Sequence, residues 1–248
     1  MAHSREIRVH AFEVKFLVQP DAAARIRQWA RAHLSPDPHG SGPFSDEYRT
    51  TSLYFDTTAY DVFHQRGSFG RGKYRIRRYG EDAAVFLERK MRQRIVLAKR
   101  RTPTPLTMLE RLTHAPDPEW TGYWFHRRVV ARELRPVCQV TYHRTARVLT
   151  RNGDQVRLTL DSDLRARLLR DVRFARSTGM PVTDGQSILE LKFKGSAPAL
   201  FRQLVQDLAL NPQNVSKYRL SLARLIPALS YTSLPLGASD FTTDALYA

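Results

Sequence analysis

Cysteine is almost missing from this chain: Cys138 is the only one among 248 residues. A single thiol excludes an intramolecular disulfide and any zinc site built from cysteines. Within Val137-Cys-Gln-Val140 it reads as a buried structural thiol rather than a nucleophile. Long hydrophobic runs are missing too, since no stretch approaches the ~18 apolar residues that cross a bilayer. Met1-Ala-His-Ser-Arg-Glu6 lacks the apolar core of a signal peptide. The expectation is a cytoplasmic protein with no membrane segment. His10, His33, His64, His114, His126 and His143 show no metal-ligand spacing, so each is a surface or core histidine by default. Gly67-Ser-Phe-Gly-Arg-Gly72 does not sit between a strand and a helix of a βαβ unit, which excludes a P-loop or dinucleotide fingerprint. Acidic residues are scarce: 24 Asp and Glu stand against 40 Lys and Arg, a formal charge of +16. That surplus attracts a polyanion, which leaves nucleic acid, an anionic membrane or a polyphosphorylated small molecule. No RNP-type aromatic motif or zinc finger is present, so nucleic acid is not the expected partner.

What is present in quantity is alternation. Glu190-Leu-Lys-Phe-Lys194 places charge at every second residue, and the grammar recurs. It returns at Glu13-Val-Lys-Phe16, Lys73-Tyr-Arg-Ile-Arg77, Leu87-Glu-Arg-Lys90 and Arg157-Leu-Thr-Leu-Asp161. Residues i and i+2 of a strand share a face, so each segment carries one charged and one largely apolar face. For a single strand, the ordinary explanation is an antiparallel sheet with a wet polar face. Taken together these faces repeat Arg and Lys at same-side positions, where like charges repel and need compensation. Turning the charged faces inward, with helices over the apolar ones, would suit a chain of phosphates and a divalent ion.

The rest of the chain reads as one domain, without repeat or linker. Strands are expected near Arg8–Val18, Tyr48–Asp56, Gly72–Tyr79, Ala84–Met91, Arg94–Arg101, Pro136–Leu149, Val156–Asp161, Asp171–Arg176 and Ser187–Lys194. Gly80-Glu-Asp82 and Arg151-Asn-Gly-Asp154 read as hairpin turns. Helices are expected from Pro20, within 105–134, and over Ala197–Leu210 and Lys217–Leu229. Residues 230–248 read as a polar tail after a domain spanning 1–229.

Several motifs occur in order along the chain: Glu13-Val-Lys-Phe, Ser52-Leu-Tyr-Phe-Asp-Thr57, Lys73-Tyr-Arg-Ile-Arg-Arg-Tyr79, Leu87-Glu-Arg-Lys90, Val96-Leu-Ala-Lys-Arg-Arg101, Tyr142-His-Arg144, Arg157-Leu-Thr-Leu-Asp161, Ile188-Leu-Glu-Leu-Lys192 and Ser216-Lys-Tyr-Arg219. Together they resemble the catalytic domain of the vacuolar transporter chaperone (VTC) family, a polyphosphate polymerase among the triphosphate tunnel metalloenzymes and related to CYTH-type triphosphatases. The resemblance covers roughly residues 8–229. It implies an α+β fold, a closed antiparallel eight-stranded tunnel with a charged lumen. It implies Lys15, Arg75, Arg77, Lys90, Lys99, Arg144, Arg157 and Lys217 as phosphate ligands, with Lys192 and Ser216 as further candidates. Glu190 matches the family's metal-binding glutamate, and Glu13 and Glu88 resemble acidic partners that hold metal or orient lysines. The implied cofactor is Mn²⁺ or Mg²⁺, and the implied partners are ATP and polyphosphate or triphosphate. Asn214 stands where the family pattern leads one to expect a lysine. The expected activity is transfer of the ATP γ-phosphate to a growing polyphosphate chain. Hydrolysis of triphosphate or nucleoside triphosphate on the same scaffold, and a non-catalytic polyphosphate-binding module, are the alternatives.

Overall fold

The computed structural model describes residues 7–10, 12–69, 72–93, 96–151, 154–231 and 246. The alternating segments become strands: β1 (Ile7–His10), β2 (Phe12–Val18), β3 (Ser35–Pro36), β4 (Glu47–Asp56), β5 (Gly72–Tyr79), β6 (Ala84–Gln93), β7 (Val96–Pro105), β8 (Arg135–Arg151), β9 (Asp154–Leu168), β10 (Met180–Pro181) and β11 (Ser187–Phe193). The helices are α1 (Pro20–His33), α2 (Asp61–His64), α3 (Tyr123–Ala131), α4 (Ala199–Asp207) and α5 (Lys217–Leu225). Pro20 opens α1 where its missing N–H costs nothing, and Asp21 and Arg31 complement the two ends of the helix dipole.

Among the described residues the strands form one eleven-stranded antiparallel sheet, in the order β1-β7-β6-β5-β4-β8-β9-β11-β2. β3 attaches to β8 and β10 to β9. The strand expected at Arg8–Val18 is divided between β1 and β2, and β3 and β10 are short additions to the expected set. The hydrogen-bonded path is open, with β1 at one edge and β2 at the other. These edges are nevertheless consecutive in the chain: β1 runs beside β7, with Ile7 opposite Lys99, and β2 runs beside β11, with Glu13 opposite Lys192. The sheet curls strongly. Lys90 Nζ on β6 reaches Glu13 Oε2 on β2 at 2.9 Å, although these strands lie far apart along the path.

Apolar faces point outward into two clusters. Val14 and Phe16 of β2, Leu158 and Leu160 of β9, and Leu189 and Leu191 of β11 pack under α1 and α4 through Ile26, Phe201 and Leu204. Leu53 and Phe55 of β4, Ile76 of β5 and Leu87 of β6 share the other cluster with Phe125 and Val129 of α3 and Leu222 of α5. Cys138 is fully buried there, and burial followed by Asp56 pushes its thiol up. Leu246 is buried in the cluster under α1 and α4, while most of the expected tail lies outside the described residues. Residues 152 and 153 of the expected second turn also lie outside them. Among the described residues, no helix is long and apolar enough to cross a membrane.

One expected strand is corrected. Residues 171–176 form no strand, because β9 runs on to Leu168 and takes the β8 edge. The Gln139 side chain satisfies that loop instead, accepting from Ala175 N at 2.8 Å and donating to Ala175 O at 3.1 Å.

Candidate functional site

Strand parity sends the charged residues to the concave face, and register then decides which of them touch. Arg144 lies opposite Asp161, and Glu190 lies opposite both Thr159 and Lys15. Arg144 makes a two-pronged fork to Asp161, both bonds at 2.6 Å. Ser216 caps α5 by accepting from Arg219 N, which places Lys217 as the first helical residue and aims it inward. Lys217 Nζ sits 2.5 Å from Asp161 and donates to Glu190 Oε1 at 2.7 Å. All four side chains of this corner are buried. Burial opposes charge at each, and the pairing overcomes it. Glu190 is held well below the usual carboxylate range by Lys217, then Lys15 and Lys192, against the nearby Glu13. Lys217 is raised by Asp161 and Glu190.

A second carboxylate, Glu13, stands among lysines: Lys90 at 2.9 Å, Lys15 at 3.1 Å and Lys192 at 3.4 Å. Burial works against its ionisation, yet Lys192, Lys90 and Lys15 hold it well below the usual range. A third, Glu88, meets Arg75 at 2.6 Å, Arg101 at 3.2 Å and Lys99 at 3.3 Å. Arg77 is aimed by Ser52 Oγ and Tyr142 OH, both at 3.2 Å.

Cations nonetheless exceed these carboxylates, and the excess shows in the lysines. Lys73 donates to Ser216 Oγ at 2.9 Å rather than to a carboxylate. Its ammonium is depressed well below the usual lysine range, by burial first and then by Lys15 and Lys90. Lys90 falls to about 8 through burial, against the help of Glu13 and with Lys15 and Lys192 adding to the fall. Lys99 also falls to about 8, through burial and the Arg75, Arg101 and Arg77 guanidiniums, against Glu88. Crowded ammoniums of this kind regain their ordinary basicity only when an anion joins them.

Of the residues expected from sequence, Lys15, Lys90, Lys192 and Glu13 gather in one cluster, Arg75, Arg77, Lys99 and Glu88 in another, and Arg144, Lys217 and Glu190 in the corner. Ser216 links the corner to Lys73. Arg157 stands apart, held by Asp37 at 2.8 Å and Tyr48 OH at 2.9 Å. Sequence reasoning passed over Asp161, Lys73 and Arg101 as site residues. Each shares the parity of a chosen neighbour (Arg157, Arg75 and Lys99), and that parity was the available signal.

Among the described residues no group of three or more His, Cys, Asp or Glu gathers as a metal cage. A hard divalent ion such as Mg²⁺ does not require one, because it takes one or two carboxylates and completes its shell with phosphate oxygens and water. The ionised, inward-facing Glu190 and Glu13 fit that donor set.

A protein-family model described as the VTC domain matches residues 10–226. Among solved structures, the chain is similar to a candidate adenylate cyclase from Bacillus halodurans at 14% identity, covering 84% of this chain and 95% of that one, with a TM-score of 0.52. At that identity the likeness is one of fold. A candidate adenylyl cyclase from Hippeastrum with a dominant triphosphatase activity aligns over 92% of this chain and 100% of that one, at 14% identity and a TM-score of 0.46. No curated protein sequence matches the chain.

Proposed function

The chain belongs to the VTC domain family, and from that premise we propose that it is a metal-dependent polyphosphate polymerase working inside a basic tunnel. The observation that carries this reading is the surplus of inward-facing cations over carboxylates, with Lys73, Lys90 and Lys99 depressed by burial and by their cationic neighbours. A tunnel is supported by the consecutive edge strands β1 and β2 and by the Glu13–Lys90 contact across the curled sheet.

In this reading Arg75, Arg77, Lys90 and Lys99 bind the triphosphate oxygens, with guanidiniums in forks and ammoniums as point charges. Glu88 holds Arg75 and Arg101 in position for that task. Lys15, Arg144, Lys192, Ser216 and Lys217 line the approach to the reacting phosphate, and Arg157 holds the far rim. Glu190 and Glu13 would hold Mn²⁺ or Mg²⁺, which supplies further neutralisation of phosphate charge when bound. An incoming phosphate terminus attacks the γ-phosphorus in line as the γ-phosphorus–bridging oxygen bond breaks and ADP departs with that oxygen, and the preorganised cations stabilise the charge spread over the equatorial oxygens.

Incubation with ATP and Mn²⁺, followed by gel analysis of the product, tests the proposal. Long chains are expected. Stoichiometric orthophosphate without polymer would instead favour the triphosphatase reading, for which Asn214 in place of a lysine is the supporting observation. Binding without turnover, unchanged by Glu190→Gln, would favour a binding module.

A further inference from the structure

On the charged concave face, three aromatic rings belong to neither apolar core. Tyr48 of β4, Tyr79 of β5 and Phe86 of β6 lie on the charged concave face, each partly exposed. Neither hydrophobic cluster includes them. They form a chain of edge contacts, with Tyr48 and Tyr79 centroids 5.6 Å apart and Tyr79 and Phe86 5.7 Å apart. The Arg101 guanidinium lies 3.6 Å from the Phe86 centroid and 5.3 Å from that of Tyr79. Phe86 is also the register partner of Arg77, so the aromatic group continues directly from the arginine wall.

The ordinary account of such a group is cross-strand aromatic packing. That account does not say why the rings stand on the hydrophilic face, partly open, next to phosphate-binding residues. A planar, weakly polar group joined to a polyphosphate would meet both surfaces at once. Bases stack on aromatic rings and on guanidinium planes. We propose that Tyr48, Tyr79, Phe86 and Arg101 form a nucleobase platform, which seats the base of a nucleoside triphosphate at one end of the face while its phosphates run inward past Arg77 and Arg75. This rests on the tunnel reading above and adds the means by which the site would tell a nucleotide from bare polyphosphate.

The test is calorimetric titration of the full chain with ATP, UTP and inorganic tripolyphosphate, in EDTA so that turnover consumes nothing. Phe86→Ala is expected to weaken ATP binding about tenfold, within the range for one lost stacking partner, and to leave tripolyphosphate within about twofold. The wild type is expected to prefer ATP to UTP, because a purine offers the larger face, and Phe86→Ala to narrow that preference. Equal losses for ATP and tripolyphosphate, or an unchanged ATP affinity, would overturn the platform. If Phe86→Ala does not fold, Tyr79→Leu is read by the same ratio. Failure of the wild type to bind tripolyphosphate at all would sink the tunnel reading and the platform together, so the two failures are distinguishable.

Discussion

Lysines in two regions of one concave surface behave in opposite ways. At the corner, Lys217 meets Asp161 and Glu190, and its ammonium is raised above the usual lysine range despite burial. Along the β5–β6–β7 wall, Lys73, Lys90 and Lys99 are depressed, because burial and neighbouring cations outweigh the carboxylates they share. The corner is a closed account of charge, two cations against two carboxylates, and holds itself together. The wall is incomplete until an anion arrives. Basic composition alone does not separate these cases, because the same residue type serves both.

The sharpest way to break this comparison is to open the corner. Asp161→Asn leaves the Arg144 fork and Lys217 facing a neutral amide in a buried site. Removing one partner from a buried pair costs about 3–5 kcal/mol. Denaturant unfolding should therefore show a midpoint far below that of the wild type. A loss under about 1 kcal/mol would mean the corner is not self-supporting.

A change of pH tests the wall. Lys90 and Lys99 have folded values of about 8, below the ordinary lysine value. Phosphate binding requires their protonated forms, so tripolyphosphate affinity should fall as pH rises through 8. The limit is about tenfold per pH unit for each lysine. Tyr79, lowered to about 8 by Arg77 and Arg101 against burial, adds negative charge over the same range and acts in the same direction. Stability runs the other way. Above pH 8 the unfolded chain binds more protons at these lysines than the folded one, so the ligand-free protein gains stability as pH climbs toward 10.5. Calorimetric titrations and thermal scans at pH 7, 8 and 9 check both slopes, and flat profiles would erase the distinction between wall and corner.

How far this was legible in the sequence follows from the same contrast. Parity in Lys73–Arg77, Leu87–Lys90 and Glu190–Lys192 was enough to say which residues share a face, since a strand's period of two is local. Pairing was not local. That Glu88 would be surrounded by Arg75, Lys99 and Arg101 depends on the β5–β6–β7 register, and that Lys217 would lie between Asp161 and Glu190 depends on a helix cap. Lys194 continues the alternation of β11, yet it leaves the site for an exposed pair with Asp154 at 2.9 Å. Residues 171–176 have strand-like alternation, but β9 already takes the β8 edge beside them, and no local pattern reveals an occupied edge.

The smallest expected effect carries the most unusual sign. Lys73→Met keeps much of the side chain's apolar stem and deletes one crowded, partly buried ammonium that is bonded to Ser216 Oγ rather than to a carboxylate. Burial, Lys15 and Lys90 all act against that charge, so its loss should stabilise the ligand-free protein by about 1 kcal/mol. For a chain of this size that corresponds to a rise of about 2–4 °C in Tm. The same substitution should weaken tripolyphosphate binding, because the phosphates lose a point charge on the wall. A binding surface held under repulsion predicts that pairing of outcomes, more stable and less able to bind. If Lys73→Met instead destabilises the free protein, the ammonium is already satisfied and the wall is no different in kind from the corner.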